Sequence, residues 1–294
     1  MIAITGGRGN IGRVIAQKAR EKGLEVLTIG LSQTGPEEVH AQVDVTDEKA
    51  MAQVFEQYPI KTVVHLASLL NSASRKNPDR AVEVNVMGTL HLLRLCKEHG
   101  ARLIFGSSFN AIGDPCPEEP NRRVEENTES ATQEFYGATK RYIERLGIAY
   151  AAEQNADFVS ARIPTVLGIG QASKNSPWRS DLYAMLKTGG HITVGFTEET
   201  TAVFAHVEDV AEAIVALAQK EALDHQVYNL PNDSYLMPDL KHDVEGLQPG
   251  IQIAYGKSDL TGAPKYVSWD RFAGEFPNVE YRGVLTRMQD EIQG

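Results

Sequence analysis

In the stretch Phe-Tyr-Gly-Ala-Thr-Lys at 135–140, Tyr136 precedes Lys140 by four residues. On a helix that spacing puts both side chains on one face. A free phenol has a pKa of about 10 and exchanges protons poorly at neutral pH. A neighbouring ammonium favours the phenolate and lowers that pKa, which would suit Tyr136 to general acid–base work on an alcohol or a carbonyl. Such chemistry needs a second group to hold the reacting oxygen. Ser107 and Ser108 stand at the end of the apolar run 102–108, and in open α/β sheets ligands bind outside the C-terminal ends of the strands. The tyrosine–lysine spacing alone also occurs on ordinary amphipathic helices, so it gains its meaning from what surrounds it.

The second constellation is Thr-Gly-Gly-Arg-Gly-Asn-Ile-Gly at 5–12, directly behind the apolar Met1–Ile4. Strand, G-x-x-G-x-x-G and helix in that order form a dinucleotide-binding signature. Gly6, Gly9 and Gly12 let the backbone approach a pyrophosphate, and the free N–H groups at the helix start, around Asn10 and Ile11, favour the anion. In such folds an acidic residue about 20 positions on, after the second strand, binds the adenosine ribose. Here that place is Gly30-Leu31-Ser32, with no carboxylate. A 2′-phosphate would meet no repulsion there, and the forked guanidinium of Arg8 could receive it. The expected cofactor is therefore NADP, with NAD as the alternative; a solvated surface arginine is the plain reading of Arg8.

These residues need elements to position them. Residues 1–5, 25–30, 41–45, 61–67, 102–108, 158–164 and 226–230 read as strands. Ile11, Val14, Ile15 and Ala19 recur at helical spacing before Gly23, and 47–57, 79–99 and 133–154 also read as helices. The alternation predicts an α/β fold with a doubly wound parallel sheet. After Pro164 the pattern turns irregular, and the tail from Pro231 has weak periodicity. We expect a dinucleotide-binding domain from 1–164 plus 201–231 and a smaller substrate-binding lobe from 165–200 plus 232–294.

The chain has 294 residues, a formal charge of −10 and a pI of about 5.3. That balance argues against a nucleic acid or an acidic membrane as partner. No run approaches the ~20 apolar residues of a membrane helix. The N-terminus begins at once with a strand and a glycine loop, and the two cysteines, Cys96 and Cys116, lack metal-ligand spacing. The expectation is a cytoplasmic protein with a small-molecule substrate and no bound metal.

Taken together, residues 1–230 resemble the extended short-chain dehydrogenase/reductase family, which includes NAD-dependent sugar epimerases and dehydratases. Beyond the motifs above, Asp44-Val45 resembles the family's adenine-binding acid and its neighbour. His65-Leu66-Ala67-Ser68 resembles the strand motif beside the cofactor, and Asn85 its asparagine. Gly106–Gly113 resembles the serine motif and marks Ser108 as the catalytic serine. Ala161–Gly168 and His206–Ala213 resemble later landmarks. The resemblance implies a Rossmann fold with Tyr136 as acid/base on the reacting hydroxyl. It implies that Lys140 binds the nicotinamide ribose and tunes Tyr136, and that Ser108 hydrogen-bonds the reacting oxygen. Pro164 to Val166 would lie near the nicotinamide. His65 and His206 read as structural, Asp209 as the anchor of the helix that follows it, and Asn85 as a buried support.

Two departures bear on the substrate. Where nucleotide-sugar enzymes of this family carry an arginine for the pyrophosphate, this chain has Ala202; where they carry asparagine, it has Thr165. Segments 65–74 and 161–168 resemble instead the branch that oxidises small acids, with sugar-acid and threonine dehydrogenases. A small acid needs a cation, for which Arg179 is the first candidate and Lys174 the second. Ser68 and Ser72 are candidates for substrate hydroxyls. The leading expectation is an oxidoreductase acting on a small sugar, sugar acid or related metabolite. An epimerase or dehydratase of a nucleotide sugar is the alternative, and a non-catalytic NADP sensor a third. A homodimer through 79–99 and 133–154 is expected.

Overall fold

A computed structural model describes residues 1–32, 39–115, 118–119, 121–168, 176–257 and 263–293. Lys174 and Cys116 lie outside the described residues.

The centre is a seven-stranded parallel sheet. Its strands are β1 (Ile2–Thr5), β2 (Val26–Gly30), β3 (His40–Gln42), β4 (Thr62–His65), β5 (Arg102–Ser108), β6 (Phe158–Ile163) and β7 (Val227–Asn229). Their spatial order is β3-β2-β1-β4-β5-β6-β7, that of a Rossmann fold. The order reverses between β1 and β4, and at such a switch point a crevice opens outside the strand ends. Every residue of β1, β4 and β6 is buried, as expected for strands covered on both faces.

Two cores sandwich the sheet. On one face Ile2, Ile4 and Val159 meet Ile15 and Ala19 of the helix Asn10–Glu21 and Val210 and Ile214 of the helix Val207–Gln219. On the other, Ala3, Leu27 and Val63 meet Met51 and Phe55 of Glu48–Gln57 and Leu92 and Cys96 of Gly88–His99. Fully burying one such aliphatic side chain is worth about 1.5–3 kcal/mol, so these two layers hold the strand ends in place.

The expected single helix at 79–99 is helical but not uniform. Pro78–Ala81 passes through a π-helical stretch, Val82–Met87, into Gly88–His99. The widened turn carries Asn85, whose side chain bonds the backbone of Leu69 instead of facing solvent. Such bulges often mark functional regions.

A third core lies beyond the sheet. Trp178, Leu182 and Leu186 of the helix Trp178–Thr188 pack with Phe204, Met237, Leu240, Val284 and Met288. Thr201–His206 pairs in parallel with Thr165–Leu167 and antiparallel with Asp233–Leu236. The tail, expected to be weakly periodic, folds into the helices Met237–Leu247, Asp270–Glu275 and Val284–Gln293. Each buries only one to three residues, such as Met237, Leu240 and Val244, too few to stand out among prolines and glycines. Asp209 joins this part to the sheet. It receives Arg287 Nε at 2.9 Å and the Gly283 N–H at 3.1 Å, so from the first turn of its own helix it also holds the last one.

Candidate active site

The glycine loop sits at the switch point, between β1 and the helix Asn10–Glu21. Gly6 has φ of +65°, and a Cβ on Gly12 would stand 2.4 Å from the Gly6 carbonyl oxygen; side chains at either place would close the turn. Gly9 precedes the helix and offers no side-chain cap. The first-turn N–H groups are thus left for an anion, as a dinucleotide pyrophosphate requires. The residues present fit that group.

His65 supports the loop from below. Its Nε2 pairs with Thr89 Oγ1 at 2.9 Å, and Thr89 donates onward to the Asn85 carbonyl at 2.7 Å. Nε2 is therefore the protonated nitrogen, and Nδ1 accepts from Thr5 Oγ1 at 2.6 Å. Thr5 Oγ1 in turn receives the N–H groups of Leu66 and Ala67. Burial, with Lys140 nearby, pushes His65 down to about 3. His206 falls to about 3 by burial and accepts the Glu208 N–H at the start of its helix. Neither ring lines the cavity described next.

A cavity of about 670 Å³ runs from the glycine loop to the third core. Among the sequence candidates, Gly6, Gly9, Asn10, Ile11, Gly12, Leu66, Ser68, Ser108, Tyr136, Lys140, Pro164 and Arg179 line it, together with Ser72 and Thr165. Arg8, Asp44, Val45, Ala67 and Asn85 do not reach its wall. Arg8 is half-buried in the loop. Asp44 is held by Arg80 Nη2 at 2.7 Å and by the Thr46 backbone and hydroxyl. Burial raises its pKa, and these bonds outweigh that and leave it lowered. Val45 is buried, and Asn85 clamps Leu69 through 2.7 Å and 3.0 Å bonds.

Tyr136 and Lys140 start the helix Phe135–Gln154. Lys140 Nζ donates to the Gly106 carbonyl at 2.8 Å and lies 5.5 Å from the centre of the Tyr136 ring. In the protein alone the phenol is raised. Burial pushes Tyr136 up to about 12, and a hydrogen bond with Ser68 offsets only part of that. Burial likewise pulls Lys140 down to about 7, against the attraction of Glu144.

The two serines divide their work. Ser107 is buried and donates to Glu144 Oε1 at 2.7 Å. Ser108 ends β5 and faces the cavity. Glu144 also takes both arms of Arg162, at 2.9 Å each. This pair is absent from the sequence reading, yet Arg162 gives a sign. A charged residue inside the apolar strand Phe-Val-Ser-Ala-Arg-Ile requires a buried partner. Glu144 follows Lys140 by one helical turn. Asn71, Arg75, Asn110, Trp178 and Phe196 also line the cavity without a sequence signal to mark them.

Arg179 is the most telling of the substrate candidates. Its Nη2 bonds Ser176 Oγ at 3.0 Å, while its buried Nε has no hydrogen-bond partner among the described residues. It forms no ion pair with a carboxylate among the described residues. Burial alone lowers its pKa. A cation without a carboxylate partner among the described residues thus borders the cavity.

Comparison with known proteins places this geometry. The chain is 27% identical to UDP-glucuronic acid decarboxylase 1 of Arabidopsis thaliana over 99% of its own length and 69% of that protein's. It is similar in structure to L-threonine dehydrogenase of Clostridium difficile, with a TM-score of 0.89 at 22% identity over 99% and 97% of the two chains. It is also similar to the Thermus thermophilus UDP-glucose 4-epimerase in complex with NAD, with a TM-score of 0.78 at 23% identity over 100% and 99%. The profile of the NAD dependent epimerase/dehydratase family matches residues 2–230. The chain therefore belongs to that family, whose members are nicotinamide-dependent enzymes of the extended short-chain dehydrogenase/reductase class.

Proposed function

We propose that this protein transfers a hydride between a nicotinamide dinucleotide and the secondary alcohol or carbonyl of a small metabolite that bears a carboxylate, such as a sugar acid or a hydroxy amino acid. The observation that carries this reading is Arg179, a partly buried cation on the cavity wall with no carboxylate partner among the described residues. A buried charge is costly unless it is paired, and a carboxylate bound in the cavity would supply the pair through a charge-assisted bond.

When bound, the dinucleotide supplies the hydride acceptor or donor. Tyr136 holds the proton that moves to or from the substrate oxygen, and with its phenol at about 12 it rests as the acid. Ser108 Oγ hydrogen-bonds the same oxygen and stabilises the charge that develops on it. Lys140 stands over the Tyr136 ring and is anchored on Gly106; its charged form favours the phenolate needed for alcohol oxidation. The lobe of 165–200 and 232–294 covers the substrate side of the cavity through Thr165, Trp178, Arg179 and Phe196.

NADP is the preferred cofactor on this reading, because Gly30, Leu31 and Ser32 present no carboxylate and Arg8 is at hand in the loop. The protein is read as a cytoplasmic homodimer. Val82, Met87 and Tyr142, exposed apolar side chains on the two long helical segments, support that face. The nucleotide-sugar reading loses support at Ala202, which is buried at 1% exposure in the third core, where its enzymes place an arginine.

The test is a panel of sugar acids, polyols and hydroxy amino acids, each with NAD and with NADP. Net build-up of reduced cofactor supports the proposal. Substrate conversion with no net reduction would turn the account to the epimerase reading.

A further inference from the structure

Ser108 does not stand alone at the end of β5. Its Oγ accepts the Asn110 backbone N–H at 3.3 Å and donates to Asn110 Oδ1 at 3.3 Å. Asn110 Nδ2 donates to Glu134 Oε2 at 2.9 Å. A carboxylate can only accept, so this bond decides the orientation of the amide: nitrogen toward Glu134, oxygen toward Ser108.

Glu134 occupies the cap position before the helix Phe135–Gln154, yet its side chain makes no cap bond to that helix. It reaches across to Asn110 instead. The two segments are also locked sterically. A Cβ on Gly137 would stand 2.2 Å from the Asn110 carbonyl oxygen, so the turn Phe109–Ala111 rests directly on the first turn of the helix that carries Tyr136. The serine and the tyrosine of the site are thereby tied together by a path that runs through Asn110 and Glu134.

We infer that Glu134 and Asn110 are positioning residues that set the hydroxyl rotor of Ser108 and hold it in register with Tyr136. This inference rests on the reading of Ser108 as the group that holds the reacting oxygen. In the resting molecule the hydroxyl hydrogen is parked on the Asn110 amide oxygen. The bond is long for an O–H donor, so the hydroxyl swings to a substrate oxygen at little cost. The Asn110 backbone N–H keeps donating to Oγ after the swing and makes the O–H a stronger donor. Glu134 keeps the amide from flipping, since a flipped amide would present two hydrogens to Ser108 and turn its lone pairs, not its hydrogen, toward Asn110.

A double-mutant cycle tests this. Turnover is measured as cofactor reduction with the fastest of L-threonine, D-erythronate and D-glucuronate, for Asn110→Ala, Ser108→Ala and the double variant. The cofactor dissociation constant and Tm are measured alongside. Asn110→Ala is expected to lower kcat about tenfold with KM and cofactor affinity nearly intact, and to cause no further loss once Ser108 is alanine. An equal loss in both backgrounds would overturn the inference while leaving Ser108 in its role. Unchanged turnover in Ser108→Ala would overturn the role itself, and the inference with it. Glu134→Gln keeps an oxygen for Asn110 and should recover most of the kcat lost in Glu134→Ala; equal losses would contradict the acceptor role. The ligand-free protein gives an independent readout in the NMR signals of the Asn110 side-chain amide. They should move in both Ser108→Ala and Glu134→Ala, and signals that ignore either change would refute the linkage.

Discussion

Glu144 and Arg162 meet through two parallel bonds of 2.9 Å, with side-chain exposures of 0% and 1%. The pair joins the helix of Tyr136 and Lys140 to β6, and Ser107, next to the cavity-facing Ser108, bonds the same carboxylate. Removing Arg162 takes the bidentate partner from a buried carboxylate and leaves it only the Arg141 guanidinium, at 3.1 Å; breaking a buried pair costs roughly 3–5 kcal/mol. Arg162→Ala should therefore lower the free energy of unfolding by about that amount in denaturant titration. A change below about 1 kcal/mol would mean that the pair does not hold this wall together.

Arg179 gives a prediction about the substrate. Arg179→Ala should raise KM for a carboxylate substrate by about 10- to 100-fold, the equivalent of losing a charge-assisted bond of about 1.5–3 kcal/mol. Stability should change little, because Arg179 has no carboxylate partner to lose among the described residues. An unchanged KM would remove it as the anchor.

Arg8 gives a prediction about the cofactor. Arg8→Ala should weaken NADP more than NAD in equilibrium binding. Equal weakening of both would show that the guanidinium does not read the 2′-phosphate.

His65 and His206 predict an acid limit. Each has a folded-state pKa near 3 against an ordinary value of 6.5. Between those values the unfolded chain binds more protons, so folding stability falls as pH drops. The contribution is fully present above pH 6.5 and is lost as pH falls toward 3. A His65→Gln variant should show a flatter dependence of Tm on pH across that window. A profile parallel to that of the wild type would mean that His65 does not titrate as its burial requires.

Much of the sheet was legible because β1 and β4 are short, nearly continuous apolar runs, each followed by a helix. Ser108, Tyr136 and Lys140 were legible for a related reason, since all three sit at the end of a strand or the start of a helix where local pattern governs. The tail was not, because its helices bury as few as one residue each and gain their order from the third core. Glu134, Asn110 and Glu144 were missed because their roles depend on partners 24, 24 and 18 positions away in the chain. Spacing reveals the ammonium near Tyr136 but not the burial that raises the phenol and lowers the amine.

The central claim is that Tyr136 exchanges a proton with a substrate that the cofactor oxidises or reduces in full turnover. The most direct test follows reduced cofactor against substrate consumed, for wild type and Tyr136→Phe, on the best hydroxy acid of the panel. The account predicts one reduced cofactor per substrate oxidised, and a loss of about 10²–10⁴-fold in kcat with cofactor affinity nearly intact. Substrate consumed without net reduction, or a phenylalanine variant as fast as the wild type, would contradict it.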